Sequence, residues 1–589
     1  MERRVLLAIF LAFLVLYVWQ TVFVKPVPKP APVATTPAAT NSGTPEGSGA
    51  ATAGSPDSAS AANAPAAPQT SFAPAAAPLV ADSAERDVRV ETRDVVAVFT
   101  NRGARLKSWR LKRYLDQHRQ PQELLETDEL PTQPMPFTLR TANDAVTKTL
   151  NEALYTVSGA PSAAGESSGP VDLRFEYRDT AGIHAVKAFH LEPASYILTF
   201  RGGVTEGDRA LSPTIVWGPA IGDTSEQSRM VKNAEGLLFE NTKVVRIPAK
   251  DVAKQPVREG DFGYAGVDDN YFMTAALQPG PSKVTFQAVT IPPPANSPKS
   301  PARELVSFAI EPQRTDTAIR FFAGPKDFDV LASIDRDVAR SIDFGMFTVI
   351  VVPLLRSLKW VNGYVGNYGW SIIILTFIIN AIMFPLRHKS VVSMRKMQEI
   401  QPEVKAIQER YKNLKATDPA KQKMNSELMA LYKERGVNPA SGCVPMLLTM
   451  PFIFAFYALL STAIELRGAP WFGWIHDLSA HDPYFVVPIL MGVSQVWQQR
   501  LAPAAGMDPV QQKMMMLMPV FFTFLFLWYP SGVALYWFVN NVWAIGQQYA
   551  TNYMIGPPVV RAARASTAGE RRMKRVGGGK TDAAARDNN

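Results

Sequence analysis

From Met514 to Val560 the chain carries no charged residue, and a helix of that length, at about 1.5 Å per residue, is twice as long as a bilayer's hydrocarbon core is thick. The run must therefore fold back, and Tyr529-Pro530-Ser531-Gly532 in its middle is the turn. Backbone in lipid has to satisfy its own hydrogen bonds, so two spanning helices follow, and with them a polytopic membrane protein. The near-zero mean hydropathy of the 589 residues averages two different solvents.

Four more apolar runs complete the count. Val5–Val24 follows Arg3 and Arg4 and, at about 20 residues, suits an uncleaved anchor better than a signal peptide. Trp360–Leu386 ends at Arg387, His388 and Lys389, and Val444–Ile464 crosses again. Tyr484–Gln499 is marginal in length, carries Pro488 and ends at Arg500. Six spans put both termini in one compartment. Arg3 and Arg4, the basic stretch Arg387–Arg435 and the tail Arg561–Arg586 share a side, whereas the loop Glu465–Pro483 has Arg467 as its one basic residue. By the positive-inside rule the termini are cytoplasmic, and the formal net charge of +9 reads as orientation rather than nucleic-acid binding. Phe344–Leu355, short and interrupted by Pro353, fits a helix lying in the membrane interface.

The soluble parts differ in pattern. Residues 25–83 are Pro, Ala, Ser, Thr and Gly with few large apolar side chains, a tether that cannot bury enough surface to order itself. After it the period becomes two. Val171, Leu173, Phe175 and Tyr177 alternate with Asp172, Arg174, Glu176 and Arg178, and Val284, Phe286, Ala288 and Val306, Phe308, Ile310 repeat the pattern. Strands with one wet face, separated by Gly and Pro turns, predict an all-β sandwich outside the cytoplasm. Cys443 is the one cysteine, so no intrachain disulfide supports it.

On the cytoplasmic side Met397, Ile400, Val404, Ile407, Tyr411 and Leu414 recur at helical spacing, as do Met424, Leu428 and Leu431, with Thr417-Asp418-Pro419 between them. This predicts a helical hairpin at the mouth of the spans, its first helix kinked at Pro402. Met394, Met397 and Met424 are its candidate contacts for a client chain. Inside the spans Thr376 and Asn380 share a helix face, as do Trp537 and Asn541, with Thr449 on a third helix and Gln495, Gln498 and Gln499 on a fourth. Polar groups avoid lipid, so these side chains either bind neighbouring helices together or line a wet groove. The span interiors hold no Asp, Glu, Lys or Arg, and the chain has no P-loop, metal-ligand cluster or nucleophile elbow, which argues against pumps, enzymes, cofactors and metals. His476-Asp477 and His481-Asp482 fit turn hydrogen bonds, and Gly363, Gly366 and Gly369 ease the chain into a span.

Several motifs in one order resemble the YidC insertase family: Asn367-Tyr368-Gly369-Trp370-Ser371, Leu431-Tyr432-Lys433, Val437-Asn438-Pro439, Gly442-Cys443-Val444-Pro445, Met450-Pro451-Phe452, Trp474-Ile475-His476-Asp477-Leu478, Asp482-Pro483-Tyr484 and Phe526-Leu527-Trp528-Tyr529-Pro530-Ser531-Gly532, with Trp217-Gly218-Pro219 in the β-domain. The resemblance implies a membrane protein insertase and chaperone, without cofactor or small-molecule substrate, working alone or with the Sec translocon. Its partners would be nascent membrane proteins, the lipid bilayer and, through a basic tail and the hairpin, the ribosome. It implies a groove open to cytoplasm and lipid, with Thr376, Thr449 and Trp537 at groove-lining places beside Asn380 and Asn541. Asn380 stands where the family places a basic residue, and Arg387 lies about 10 Å further along a helix, so hydration and hydrogen bonding by Asn380 are expected in place of strict charge pairing. A small-molecule transporter would show inverted repeats or paired acidic residues in broken spans, and a transmembrane sensor would need a larger output domain than the tail holding Arg571, Arg572, Lys574 and Arg575.

The expected organisation is an anchor over 1–24, tether 25–83, periplasmic β-sandwich 84–335, interfacial helix 336–366, second span 367–387, cytoplasmic hairpin 388–441, third span 442–464, periplasmic loop 465–483, fourth span 484–501, cytoplasmic loop 502–512, fifth span 513–529, sixth span 530–555 and basic tail 556–589. The fold class is thus a polytopic α-helical membrane protein of six spans with a five-helix core, an all-β periplasmic domain and a cytoplasmic hairpin, in a bacterial inner membrane.

Overall fold

The computed structural model describes residues 77–116, 118–125, 133–161, 165–218, 234–291, 303–314, 318–411, 419–437, 444–501 and 509–555. The expected anchor, nearly all of the tether, the hairpin turn at Thr417-Asp418 and the tail lie outside the described residues, as do the side chains of Met394 and Thr449.

Alternation in sequence becomes alternation in burial. Along the strand Val171–Asp179 the apolar residues face inward and Asp172, Arg174 and Arg178 outward. The large sheet runs through strands Pro78–Val80, Val171–Asp179, Ile183–Leu191, Ile197–Glu206, Ile319–Pro325, Phe272–Ile291, Val257–Asp268, Glu235–Glu240 and Lys243–Pro248, with further strands pairing beside this path. A second sheet of four strands carries Asp87–Glu91, Val95–Thr100, Arg105–Leu115 and Pro121–Glu123. Two sheets packed face to face make the expected sandwich, and Trp109 of the smaller sheet donates its indole N–H to Ala323 O of the larger at 2.8 Å. Around Phe137 the core is aromatic: Phe189, Phe200, Trp217 and Phe321 all lie with ring centroids 4.9 to 5.2 Å from it.

Three expectations shift here. The domain begins before residue 84, because Pro78–Val80 already pairs with Val171–Asp179. Ala288 is exposed, and the buried positions move to Val289 and Ile291, so the alternation of Phe272–Ile291 slips near its end. The domain also carries helices, α1 (Asp144–Glu152) and α2 (Ala249–Val252). Two short ones, α3 (Phe328–Ile334) and α4 (Arg336–Ala339), lead out of it. Asp327 starts α3 by accepting from the backbone N–H groups of Asp329 and Val330, satisfying donors a helix start leaves unpaired.

α5 (Thr348–Val365) contains Pro353 and ends at Gly366 in the left-handed region, φ 69°, where glycine pays no Cβ penalty. It takes up Trp360–Val365, residues the uncharged run Trp360–Leu386 had suggested for the span. α6 (Tyr368–Glu399) starts two residues later and is much longer than the expected span 367–387. The hairpin's first residues, Met397 among them, therefore continue α6 instead of forming a separate helix. Pro402 does not kink a helix: it sits in the first turn of α7 (Gln401–Arg410), where a missing N–H costs nothing. α8 (Pro419–Glu434) packs on α7 through Ile400, Val404 and Val437 with Met397, Leu428, Leu431 and Tyr432. Tyr411 donates to Glu427 at 2.8 Å and Arg435 to Glu403 at 2.7 Å across the pair.

The remaining helices are α9 (Val444–Thr462), α10 (Val486–Leu501), α11 (Pro509–Phe526) and α12 (Ser531–Ile555). The turn expected at Tyr529-Pro530-Ser531-Gly532 separates α11 from α12. α12 packs against α6, α9 and α10, α11 against α10, and α5 against α6 and α9. Among the described residues one stretch, Tyr368–Ser393, is long and apolar enough to cross a bilayer, while Met450–Thr462 and Met516–Phe526 are shorter apolar stretches.

Candidate functional site

The polar residues of the helical region gather where α6, α9, α10 and α12 meet. One recess is lined by Thr376, Asn380, Met383 and Arg387 of α6, Phe452 and Phe456 of α9, and Tyr536 and Asn540 of α12. A second, of about 200 Å³, is lined by Gln495 and Gln498 of α10 and by Trp537 and Asn541 of α12. The two share Ile453, Tyr536 and Asn540 and so adjoin, and the pair is called the groove from here on. Phe456 and Tyr536 stack at 4.5 Å and 7° where the recesses join.

Helical periodicity explains the first recess. Thr376, Asn380 and Arg387 are four and seven residues apart and share the inner face of α6. The Thr376 hydroxyl donates to Ile372 O at 2.6 Å and the Asn380 amide to Thr376 O at 2.8 Å, so both are held by their own helix. The Asn380 carbonyl is then free to accept, and Arg387 Nη1 donates to it at 2.7 Å. Arg387, expected about 10 Å further along the helix, thus reaches back to Asn380 and lines the same recess. Two helical turns are about 11 Å, within the combined reach of an arginine folded back along its helix and an asparagine extended toward it. Among the described residues the partner of this guanidinium is a neutral amide, and no carboxylate pairs with it.

The second recess is a set of carboxamides. Asn541 donates to Met491 O at 3.2 Å and Ser494 Oγ at 3.1 Å, binding α12 to α10. Asn541 thus ties the two helices and also faces the recess. Trp537 lies over Phe522 at 5.9 Å and edge-on to Phe526 at 5.3 Å, anchored on α11. Among the described residues the buried Oε1 of Gln495 has no hydrogen-bond partner. Of the expected site residues, Thr376, Asn380, Trp537 and Asn541 come together; Thr449 lies on α9, its side chain outside the described residues. Gln495 and Gln498 line the groove as the polar reading allows. Tyr536 and Asn540 are additions, and the tandem Asn540-Asn541 was the one signal for the latter. Met397 packs into the core between α7 and α8, which leaves less of it for a client than expected, and Met424 is half-buried.

The loop motifs are structural. Asp477 accepts from Ser479 N and Oγ at 2.8 and 2.7 Å. Asp482 accepts from Trp474 Nε1, Tyr484 N and Val487 N, which closes the turn and caps α10.

A β-sandwich joined to a bundle of apolar helices, one of them long and apolar enough to cross a bilayer, fits the class of integral membrane proteins with a large water-facing domain. The family description "60Kd inner membrane protein" matches residues 360–557 and "YidC periplasmic domain" matches residues 87–357. The membrane protein insertase YidC of Geobacter metallireducens is 35% identical over 570 residues, covering 94% of this chain and 99% of that one. That of Syntrophus aciditrophicus is 33% identical over 569 residues, with the same coverage of each. A crystal structure of an active YidC insertase overlaps 81% of this chain and 95% of its own at 18% identity and a TM-score of 0.33. The chain belongs to the YidC membrane protein insertase family.

Proposed function

We propose that this insertase moves hydrophobic segments of other proteins into the inner membrane through the groove between α6, α9, α10 and α12. A nascent segment's apolar residues each gain about 1.5–3 kcal/mol on burial, whereas each unpartnered polar group of its flank costs about 2–7 kcal/mol. Roughly 20 of the former outweigh a few of the latter, so the equilibrium favours insertion and no covalent step is needed. The obstacle is the passage of the flank. Arg387 holds an acidic group of the client in place of Asn380, and Gln495, Gln498, Asn540 and Asn541 offer uncharged donors and acceptors to its backbone or polar side chains. The observation that carries this reading is a guanidinium on the groove wall whose partner is a neutral amide.

In this reading the chain crosses the membrane six times with both termini in the cytoplasm and the sandwich in the periplasm. α7 and α8 form a cytoplasmic hairpin that receives clients, and the core works alone or beside the Sec translocon. The basic tail and hairpin meet the ribosome. Depletion of the protein, followed by protease mapping of a client with a short translocated tail, is the test. The tail becomes inaccessible if the reading holds; wild-type exposure of the tail after depletion refutes it.

A further inference from the structure

The carboxamide recess holds one group that the fold leaves unanswered. Among the described residues the buried Oε1 of Gln495 accepts no hydrogen bond, although Gln495 lines a cavity of about 200 Å³. Buried polar atoms without partners are few in native folds, and a space of this size has room for several water-sized groups. Asn541, on the facing helix, is fixed by its neighbours: its two amide hydrogens go to Met491 O and Ser494 Oγ of α10, so what remains of that side chain is an acceptor. Ser494 Oγ spends its own hydrogen on Met491 O at 2.7 Å and has none for Gln495. Trp537, held over Phe522 and edge-on to Phe526, lines the same recess. A visiting group therefore meets two acceptors, one of them buried and unpaired.

Such a visitor must bring a donor, and the surroundings disfavour a charged one. Among the described residues neither recess is lined by a carboxylate, and the Arg387 guanidinium already stands in the adjoining one. A second cation would be desolvated beside a like charge. Of the uncharged donors, side-chain amides and hydroxyls come only where a client's sequence supplies them, whereas the main chain presents an N–H at every residue but proline. A segment that enters lipid as a helix pairs its own N–H groups apart from the first four, and an extended flank pairs none. We propose that Gln495 is a specificity-determining residue of the groove: its Oε1 takes a main-chain N–H of the client's extended flank, so that the second recess reads backbone where the first reads charge. The proposal rests on the groove reading above and names the chemistry of one of its recesses.

The test uses the full-length chain in proteoliposomes and clients translated in vitro with an uncharged Ala/Ser flank. A single α-hydroxy acid, moved along the flank, exchanges one main-chain N–H for an ester oxygen and leaves the side chain as it was. At the flank positions that photocrosslink to a probe at position 537, the ester lowers the insertion rate roughly threefold to tenfold, the worth of one uncharged hydrogen bond. Gln495→Met abolishes the difference between ester and amide clients, and Gln495→Glu, which keeps a carbonyl acceptor, preserves it. The response of the parent requires no variant to fold. Equal rates for ester and amide clients in the parent at every flank position overturn the assignment, as does an ester penalty that survives in Gln495→Met or vanishes in Gln495→Glu. A lysine flank that inserts faster than the Ala/Ser flank, and loses that advantage in Gln495→Met, makes the recess a cation seat and overturns it too. Loss of crosslinks from position 537 in the parent instead removes the groove reading on which the assignment depends.

Discussion

Arg387 and Lys187 show how much the surroundings of one cation decide. Arg387 sits on a groove wall with an amide for company, so a client carboxylate is a better partner than the one it has. A hydrogen bond to a charged group is worth about 1.5–3 kcal/mol, roughly tenfold to a hundredfold in a rate or affinity. Arg387→Gln is therefore expected to slow insertion of an acidic-tailed client by at least about tenfold and to leave an uncharged Gly/Ser tail within twofold; pulse-labelling the two clients side by side checks it. Lys187 is fully buried in the sandwich, where its Nζ donates to Gly103 O at 2.6 Å and Phe137 O at 2.7 Å and lies 3.3 Å from Ala104 O. Burial drives its pKa well below the ordinary lysine value. Between the folded and unfolded values the unfolded chain holds a proton that the folded chain lacks, so stability rises with pH. The thermal midpoint of the detergent-solubilised full chain should climb as the pH rises toward the ordinary lysine value, and Lys187→Met should flatten that slope. An unchanged slope in the variant refutes the assignment.

Among the elements, strands were easier to read than helix ends. Val171–Asp179 was legible because one face is wet, and the same alternation in Ile183–Leu191 places Lys187 on the inward side with Ala185 and Phe189. Ala288 misled because the inward alternation stops at Phe286 and resumes out of phase at Val289, although the pairing with Arg303–Pro312 runs on in register through Ile291. In the helices, hydropathy marks where lipid could be and says little about where a helix breaks. Gly366, at φ 69°, makes the break between α5 and α6, and a window centred on apolar content runs straight over it. Thr376, Asn380, Trp537 and Asn541 could be grouped by spacing, yet the return of Arg387 to Asn380 depends on side-chain reach that spacing does not encode. The start of α6 carries its own prediction. A Cβ on Gly369 would lie 2.1 Å from Trp471 Cδ1, closer than any real contact, so the loop holding Trp471 must move. Gly369→Val is expected to break the Asn367 amide bonds to Pro470 O and Trp471 O, both 3.1 Å, and to speed hydrogen exchange through residues 469–478. Exchange at the parent rate counts against this packing.

For the whole molecule, the division of labour follows from solvent. A sandwich with its own aromatic core needs no lipid, and the helices cannot do without it. The account joins them through a groove whose walls are polar where a client's hydrophilic flank must pass, and whose outer faces, such as Val520, Phe521 and Phe524 of α11, are exposed and apolar as lipid requires. The most direct measurement places a photocrosslinking residue at Asn380, at Trp537 and, as the lipid-facing reference, at Phe521, and illuminates ribosome-stalled membrane protein chains of increasing length. The account predicts client adducts from positions 380 and 537 at intermediate lengths that fade as the segment enters lipid, with position 521 labelled late or not at all; equal labelling at all three, or none from the groove at any length, would contradict it.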